Sequence, residues 1–362
     1  MTTETWGLGL GGTNLYLGKV DLDTGDVTDF KRKVLKDDFP GYNGAMDYVR
    51  SVVPKGSNIG VSASGDLSSK NPLLINYMAN SPFQGQLDLE EHLSEHTNTL
   101  TLTGDVRGEV LAATKYYPTL KDKLTILATY STGHGFDIAT NGELTLPNSN
   151  EAGHGLEHRV PTEFSFYDGM PCGCVTNGGS HLSHIEAYVS GPSSANMARR
   201  FLKSREYEAF SKHSLALVAL ETFNQKPKKP EQTGSHKKEN YDMSDLRDDQ
   251  VRDTVFECLT GEMVYRLFNI RSYVDPQNSI RHVQEDAIKQ SLHNMNALFS
   301  PDVILIKGSF AENEWSNVFR PAVNKIHDAT LGGYNSRLLI KPLSDPHISV
   351  RGGALYNHMQ SN

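Results

Sequence analysis

Cysteine is scarce in this chain: three residues in 362 cannot build the disulfide framework that holds many small secreted domains together. Basic residues are outnumbered, 35 Lys and Arg against 43 Asp and Glu for a net charge of −8, so the chain as a whole offers no attraction to a nucleic-acid backbone or an anionic lipid surface. Long apolar runs are missing as well; stretches such as Val303 to Ile306 fall far short of the ~20 residues of a membrane helix. The start, Met1 to Trp6, has neither the basic residues nor the apolar stretch of a secretory signal. These absences predict a cytoplasmic chain with no nucleic-acid partner and no membrane partner.

Apolar residues make up 37% of the chain and glycine adds 31 residues, an ordinary globular composition that excludes disorder, collagen and coiled coil for the bulk of it. At roughly 150 residues per domain, the length predicts two domains. Thr5 to Val20 reads as strand, glycine turn, strand, and the Asp21 to Asp26 turn cluster sends Val27 to Val34 back as a third strand. Helical spacing over 39–53, β runs at 58–64, 100–102 and 124–130, and a helix over 109–117 give the alternation of an α/β domain. Further on, 183–202 reads as a helix interrupted near Gly191-Pro192. Helices are expected over 211–223, 255–268 and 280–299, a buried strand over 301–308 and a last short helix over 350–359. Residues 225–250, nearly devoid of large aliphatic side chains and rich in Lys, Asp and Glu, read as a mobile surface insertion, with a basic docking loop as the other reading.

Gly7 to Gly12 matches a dinucleotide glycine motif loosely, but that fold needs a helix directly after the glycines, and Asn14 to Val20 continues as a strand. A glycine turn between two strands can instead present backbone N–H groups to phosphate, with the Thr13 hydroxyl as a further donor; a plain tight hairpin explains the same residues. A second such element, Tyr130 to Asp137, again follows an apolar strand and again leads into extended sequence. Cys172-Gly173-Cys174, followed by His181 and His184 and preceded by His154 and His158, fits tetrahedral zinc, and two ordinary buried cysteines are the alternative. A redox role would call for a different spacing, CxxC.

Two strand-glycine-strand elements, one in each half, resemble the duplicated nucleotide clamp of the ROK family of sugar kinases and related repressors, which has the actin-like ATPase fold. Gly9-Leu10-Gly11-Gly12-Thr13 is similar to the family's DxGGT phosphate loop, with Gly9 in place of the Asp. Leu102 to Ala113 resembles the strand-to-helix segment with the NDAN core; Asp105 matches the general base and Gly104 replaces the Asn. Thr132 to Gly135 looks like the second phosphate loop, and Asn80 to Phe83 like the N-L-P-W sugar loop. The run from Cys172 to Gly191 is similar to CxCGxxGCxEAYxSG: Cys172 and Cys174 match two zinc cysteines, His184 stands for the third, and Glu186 matches the sugar-binding Glu. The longer spacing before His184 implies an insertion that loops out, with His181 as a competing ligand. Ala152 to Val160 resembles AGEIGHxxV, which places a sugar-binding Glu at Glu157 and the zinc-linked His at His158, His154 being the other candidate. Val303 to Ser309 and Asp345 to Ala354 look like the adenosine-side loop and the closing helix, with Lys307 and Ser309 in place of glycines.

The resemblance implies an α/β fold of two actin-like (ribonuclease H-like) domains with an interdomain cleft. Residues 1–118, completed by helix 350–362, would form the small domain, and 119–349, carrying a zinc-type loop at 151–186 and the insertion at 225–250, the large one. It implies ATP-dependent phosphorylation of a hexose or N-acylhexosamine with Asp105 as general base. The sugar would be held by Asn80, Gly104, Asp105, Glu157, His158 and Glu186, and the nucleotide by Gly11, Gly12, Thr13, Asn14, Thr132, Gly133, Gly135 and Gly308. Expected cofactors are ATP, Mg²⁺ and a structural Zn²⁺ on His158, Cys172, Cys174 and His184, and the expected assembly is a homodimer. Gly9 and Gly104 support an alternative, a non-catalytic sugar- or nucleotide-binding protein with a regulatory role. A DNA-binding repressor is disfavoured, since such family members carry a helix-turn-helix ahead of the phosphate-loop strand, where this chain begins.

Overall fold

The computed structural model describes residues 4–78, 81–131, 133–145, 158–176, 179–203, 214–225, 241–260, 263–264, 280–329 and 338–361. The chain opens with β1 (Thr5–Leu10), β2 (Asn14–Val20) and β3 (Val27–Val34), then the short α1 (Leu35–Asp38), α2 (Tyr42–Val52) and β4 (Ser57–Ala63). Three brief strands, β5 (Asp66–Leu67), β6 (Leu74–Tyr77) and β7 (Leu87–Asp88), pair into a small sheet of their own before α3 (Leu89–Leu93), β8 (Thr97–Gly104) and α4 (Asp105–Tyr116). Next come β9 (Thr125–Tyr130), β10 (His134–Thr140) and β11 (Glu143–Leu144), then the hairpin β12 (Pro171–Thr176) and β13 (Gly179–Leu182). Helices α5 (Glu186–Val189), α6 (Gly191–Lys203), α7 (Ser214–Gln225), α8 (Asp249–Phe256) and α9 (Ile280–Phe299) precede β14 (Val303–Lys307). The chain ends with α10 (Ser309–Glu314), α11 (Arg320–Ala329), β15 (Leu339–Pro342) and α12 (Ile348–Ser361).

Two sheets share one plan. The first runs β3-β2-β1-β4-β8, an antiparallel hairpin whose β1 continues into parallel β4 and β8; the second runs β11-β10-β9-β14-β15, with β9 continuing into parallel β14 and β15. All six residues of β1 are buried, as a central strand covered on both faces requires. On one side α2 turns Tyr42, Ala45, Met46 and Val49 inward, the helical stripe spacing, against Trp6, Leu8, Leu10, Ile59 and Val61. A second core joins Val110, Leu111 and Ala113 of α4 to Leu127, Leu305 and Leu355.

Helix α12 lies directly on the first sheet because no side chain intervenes: a Cβ added at Gly60 would fall 1.8 Å from the Gly353 carbonyl oxygen. The chain divides into two compact units, Met1–Gly153 with Met295–Gly308 and Thr330–Asn362, and His154–Asn294 with Ser309–Ala329. Both five-stranded sheets lie in the first unit.

In the second unit the helix break expected near Gly191-Pro192 occurs at Ser190. Its N–H donates to Ser193 Oγ (3.1 Å), while the Ser193 hydroxyl donates back to the Ser190 carbonyl (2.6 Å), a cap that starts α6. Of the stretch read as an insertion, 226–240 lie outside the described residues. The remaining residues to 250 are mostly exposed, anchored by the fully buried Leu246 and by the Asn224 side chain, which bonds both the N–H and the carbonyl of Tyr241. No helix among the described residues is long and apolar enough to cross a membrane.

Candidate active site

The β1–β2 turn is closed by the Gly11 N–H donating to the Asn14 carbonyl (2.9 Å), and the Thr13 carbonyl accepts from Leu35 (2.9 Å). The N–H groups of Gly12 and Thr13 donate to no described residue, and Thr13 is exposed; this leaves two adjacent amides for an anion. The Asn14 side chain, expected at the nucleotide, accepts from Arg32 Nε (3.2 Å) on β3. Gly9 lies in the strand opposite Tyr16. A Cβ there would sit 2.5 Å from Ser349 Oγ, so the buried Ser349 of α12 occupies the space that an Asp side chain would enter.

Asp105 opens α4, directly after Gly104 at the end of parallel β8. Its Oδ1 accepts from the Val106 N–H (2.8 Å), and the carboxylate gains from the helix's positive end. Arg107 Nε, 3.1 Å from the buried Asp137 Oδ2, ties α4 to β10. One turn beyond Asp105, the buried Glu109 pairs with Lys307 at the end of β14. Burial raises the Glu109 pKa and the Lys307 charge opposes it. Burial would lower the Lys307 pKa, but the Glu109 carboxylate outweighs it and the net direction is upward. Gly308 follows at φ +111, where an added Cβ would fall 2.3 Å from the Tyr130 carbonyl oxygen; only glycine fits there.

At the second hairpin, the Ser131 N–H donates to the Gly133 carbonyl (2.9 Å), and Thr132 lies outside the described residues. Gly135, expected in the phosphate loop, is inside β10 opposite Thr129. His134 is buried, its Nδ1 3.0 Å from the Thr129 carbonyl and its ring stacked on Tyr130 at 4.2 Å.

In the second unit, His158 is buried with Nδ1 2.8 Å from Gln290 Oε1. That bond puts the proton on Nδ1 and leaves Nε2 a lone pair, and Nε2 has no hydrogen-bond partner among the described residues. Burial lowers the His158 pKa, the Gln290 bond opposing, so the ring stays neutral. The His158 N–H donates to the Ser183 carbonyl (2.7 Å), which brings it beside His184. Cys172 and Cys174 are on β12, and the extra residues before His184 form the β12–β13 hairpin. The side chains of Cys172, Cys174 and His181 lie outside the described residues, as do Asn80, His154 and Glu157. Glu186 is half-buried at the start of α5. Among the described residues no group of three His, Cys, Asp or Glu could hold a metal ion.

The family model of the ROK family matches residues 45–225, half of the chain. The chain is a member of the ROK family. Its fold is shared by a ROK family glucokinase from Streptomyces griseus solved in complex with glucose and AMPPNP, at TM-score 0.61 and 16% identity over 98% of this chain and 99% of that one. The ROK hexokinase from Thermus thermophilus matches at TM-score 0.61 and 17% identity over 99% and 100%. A ROK family transcriptional regulator, a homolog of the E. coli MLC protein, matches at TM-score 0.59 and 13% identity over 99% of this chain and 78% of its own. No curated protein sequence matches the chain. At these identities the neighbours establish the α/β fold, as expected, and the solved structures that share it include sugar kinases and a transcriptional regulator.

Two features of the site carry little local signal in the sequence. Ser349 behind Gly9 left no local signal. Lys307 was visible as a charge ending an apolar strand in place of a glycine, but its partner was not.

Proposed function

We propose that this ROK protein is an ATP-dependent kinase of a hexose or N-acylhexosamine. The observation that carries the reading is the β1–β2 turn, whose Gly12 and Thr13 amides are uncommitted among the described residues and suited to phosphate oxygens. Asp105 accepts the proton of the sugar hydroxyl; the hydroxyl oxygen bonds the γ-phosphorus as the bond to the β–γ bridging oxygen breaks, and ADP leaves. Such transfer asks mainly for positioning and charge stabilisation, which the rigid strand ends of β1, β8 and β9 supply. Mg²⁺, an ion that keeps several waters and is commonly held through the substrate phosphates, would when bound with ATP neutralise charge on the phosphate oxygens.

The lone pair on buried His158 Nε2, with Nδ1 fixed by Gln290, has the second-shell arrangement of a metal-bound imidazole. His158, His184, Cys172 and Cys174 would hold a structural zinc, which would fix the loop leading to Glu186.

Phosphorylation of glucose, mannose, fructose, N-acetylglucosamine and N-acetylmannosamine by the full chain tests the reading. Asp105→Asn should lower kcat by about 10²- to 10⁴-fold; unchanged turnover in that variant would overturn the assignment of the base. Ser349 filling the space at Gly9 favours a second reading, a non-catalytic sugar-responsive binder. Sugar binding by calorimetry without turnover on any of the five sugars would establish it.

A further inference from the structure

Lys307 is charged, almost enclosed, and without a role in the chemistry above. It ends β14 opposite Thr129 of β9, and Gly308 behind it is pressed on the Tyr130 carbonyl, so the strand end is held beside the second hairpin turn. An ammonium carries three donors. Among the described residues Lys307 uses one, to Glu109 Oε1, and its side chain keeps 21% exposure, enough for a ligand to reach it. The carboxylates that act on it are Glu109, its ion-pair partner, and Asp105, both on the first turns of α4. The ammonium is therefore placed at the start of α4, beside the strand end that carries the second glycine turn. Stability alone does not explain it, since a buried ion pair is commonly no better than apolar residues of similar volume. A Glu that fixes a lysine while leaving two donors unspent is an arrangement for meeting an anion.

We propose that Lys307, held in place by Glu109, is a phosphate-binding residue whose remaining donors meet the oligophosphate chain of the nucleotide, so that binding depends less on a divalent cation. The proposal rests on the kinase reading and adds to it the residue that supplies fixed positive charge, where the first hairpin carries Gly9 and no carboxylate. Lysine serves as a compact point charge for phosphate, and a fixed cation loses no affinity when the metal is withdrawn.

The test is calorimetric binding of ATP, adenosine and inorganic triphosphate to the full chain, with Mg²⁺ and with EDTA. The double variant Lys307→Met/Glu109→Gln removes both charges, so no buried carboxylate is left unpaired; circular dichroism verifies its fold. Wild type should bind ATP in EDTA within about tenfold of its Mg²⁺ affinity, a difference of about 1.4 kcal/mol or less. The double variant should lose at least about tenfold for ATP and triphosphate in EDTA while adenosine binding stays unchanged, and Lys307→Arg should retain most of the affinity. Triphosphate binding without adenosine binding would keep the lysine's role and assign the phosphates to an inorganic polyphosphate. A double variant that binds ATP in EDTA like wild type would reduce Lys307 to a counter-ion of Glu109 and overturn this proposal alone. A wild type that binds adenosine and ATP equally, or neither, would overturn the kinase reading together with it.

Discussion

Gly60→Ala probes the contact on which the first unit is assembled. The added methyl would lie 1.8 Å from the Gly353 carbonyl oxygen and 2.9 Å from Asn357 Cβ, whereas Cβ atoms keep about 3.0 Å or more from such neighbours. Neither atom can turn aside, because one is backbone of α12 and the other its Cβ. The helix must therefore retreat by more than about 1 Å. A gap of that size forfeits a quarter to a half of the dispersion energy at each contact it opens, and α12 packs on β4, β1, β8 and α4 together. It would also stretch the bond from Asn357 Nδ2 to the Ile59 carbonyl, now 3.0 Å. Overpacking costs about 1–3 kcal/mol in ordinary cores; with the helix displaced along its length we expect at least about 3 kcal/mol. Urea denaturation followed by circular dichroism measures it, with Gly41→Ala, where an added Cβ meets nothing within 4 Å, as a control expected to stay within about 0.5 kcal/mol. A loss below about 1 kcal/mol in Gly60→Ala would refute the argument that α12 has no room to move.

Lys307→Met leaves Glu109 buried without its cation and should cost about 3–5 kcal/mol at neutral pH. Burial raises the carboxyl pKa, so the folded variant holds a proton that the unfolded chain releases above about 4.5. Its stability should fall as pH rises from 5 to 8, and a flat profile would show that Glu109 is solvated. Glu314 is fully buried, and burial raises its pKa against an Asn317 hydrogen bond and the charge of Arg281. Glu314→Gln should match wild type near pH 4 and exceed it by about 1–3 kcal/mol at pH 8, with equal melting at pH 8 the contrary result. Gly9→Asp should destabilise by about 1–3 kcal/mol through the clash with Ser349 Oγ, and Ser349→Ala in that background should recover part of the loss; thermal melts decide, and a tolerated Gly9→Asp would mean the hairpin has slack.

Where local pattern was strong, the sequence was sufficient. Helix α9 occupies the 280–299 expected from its apolar spacing, and the run ending at Lys307 is the buried strand it was read as. The strand after the first glycine turn excludes a dinucleotide fold, and the pair of strand-glycine-strand elements carries the resemblance to the ROK family. Helix α4 shows where local reading fails: spacing placed its start near Glu109, but it begins at Asp105, because the penalty of Gly108 in a helix is offset by its close approach to Gly352 of α12. Within 241–250 a single buried Leu246 anchors an otherwise polar, mostly exposed stretch, and composition alone does not distinguish such an anchor.

The amino-acid sequence by itself determined the first three strands, their turns and helix α9, because each depends on neighbours a few residues away; helix α8 ends at Phe256, inside the span 255–268 expected to be helical, and Asp105 became the candidate base only through the family resemblance. Tertiary structure alone decided that Ser349 closes the space at Gly9, that Gly60 meets Gly353, and that Glu109 finds Lys307 across 198 residues of chain. Steric exclusion and the pairing of buried charge act through space, and no periodicity along the chain encodes which distant residue will be there.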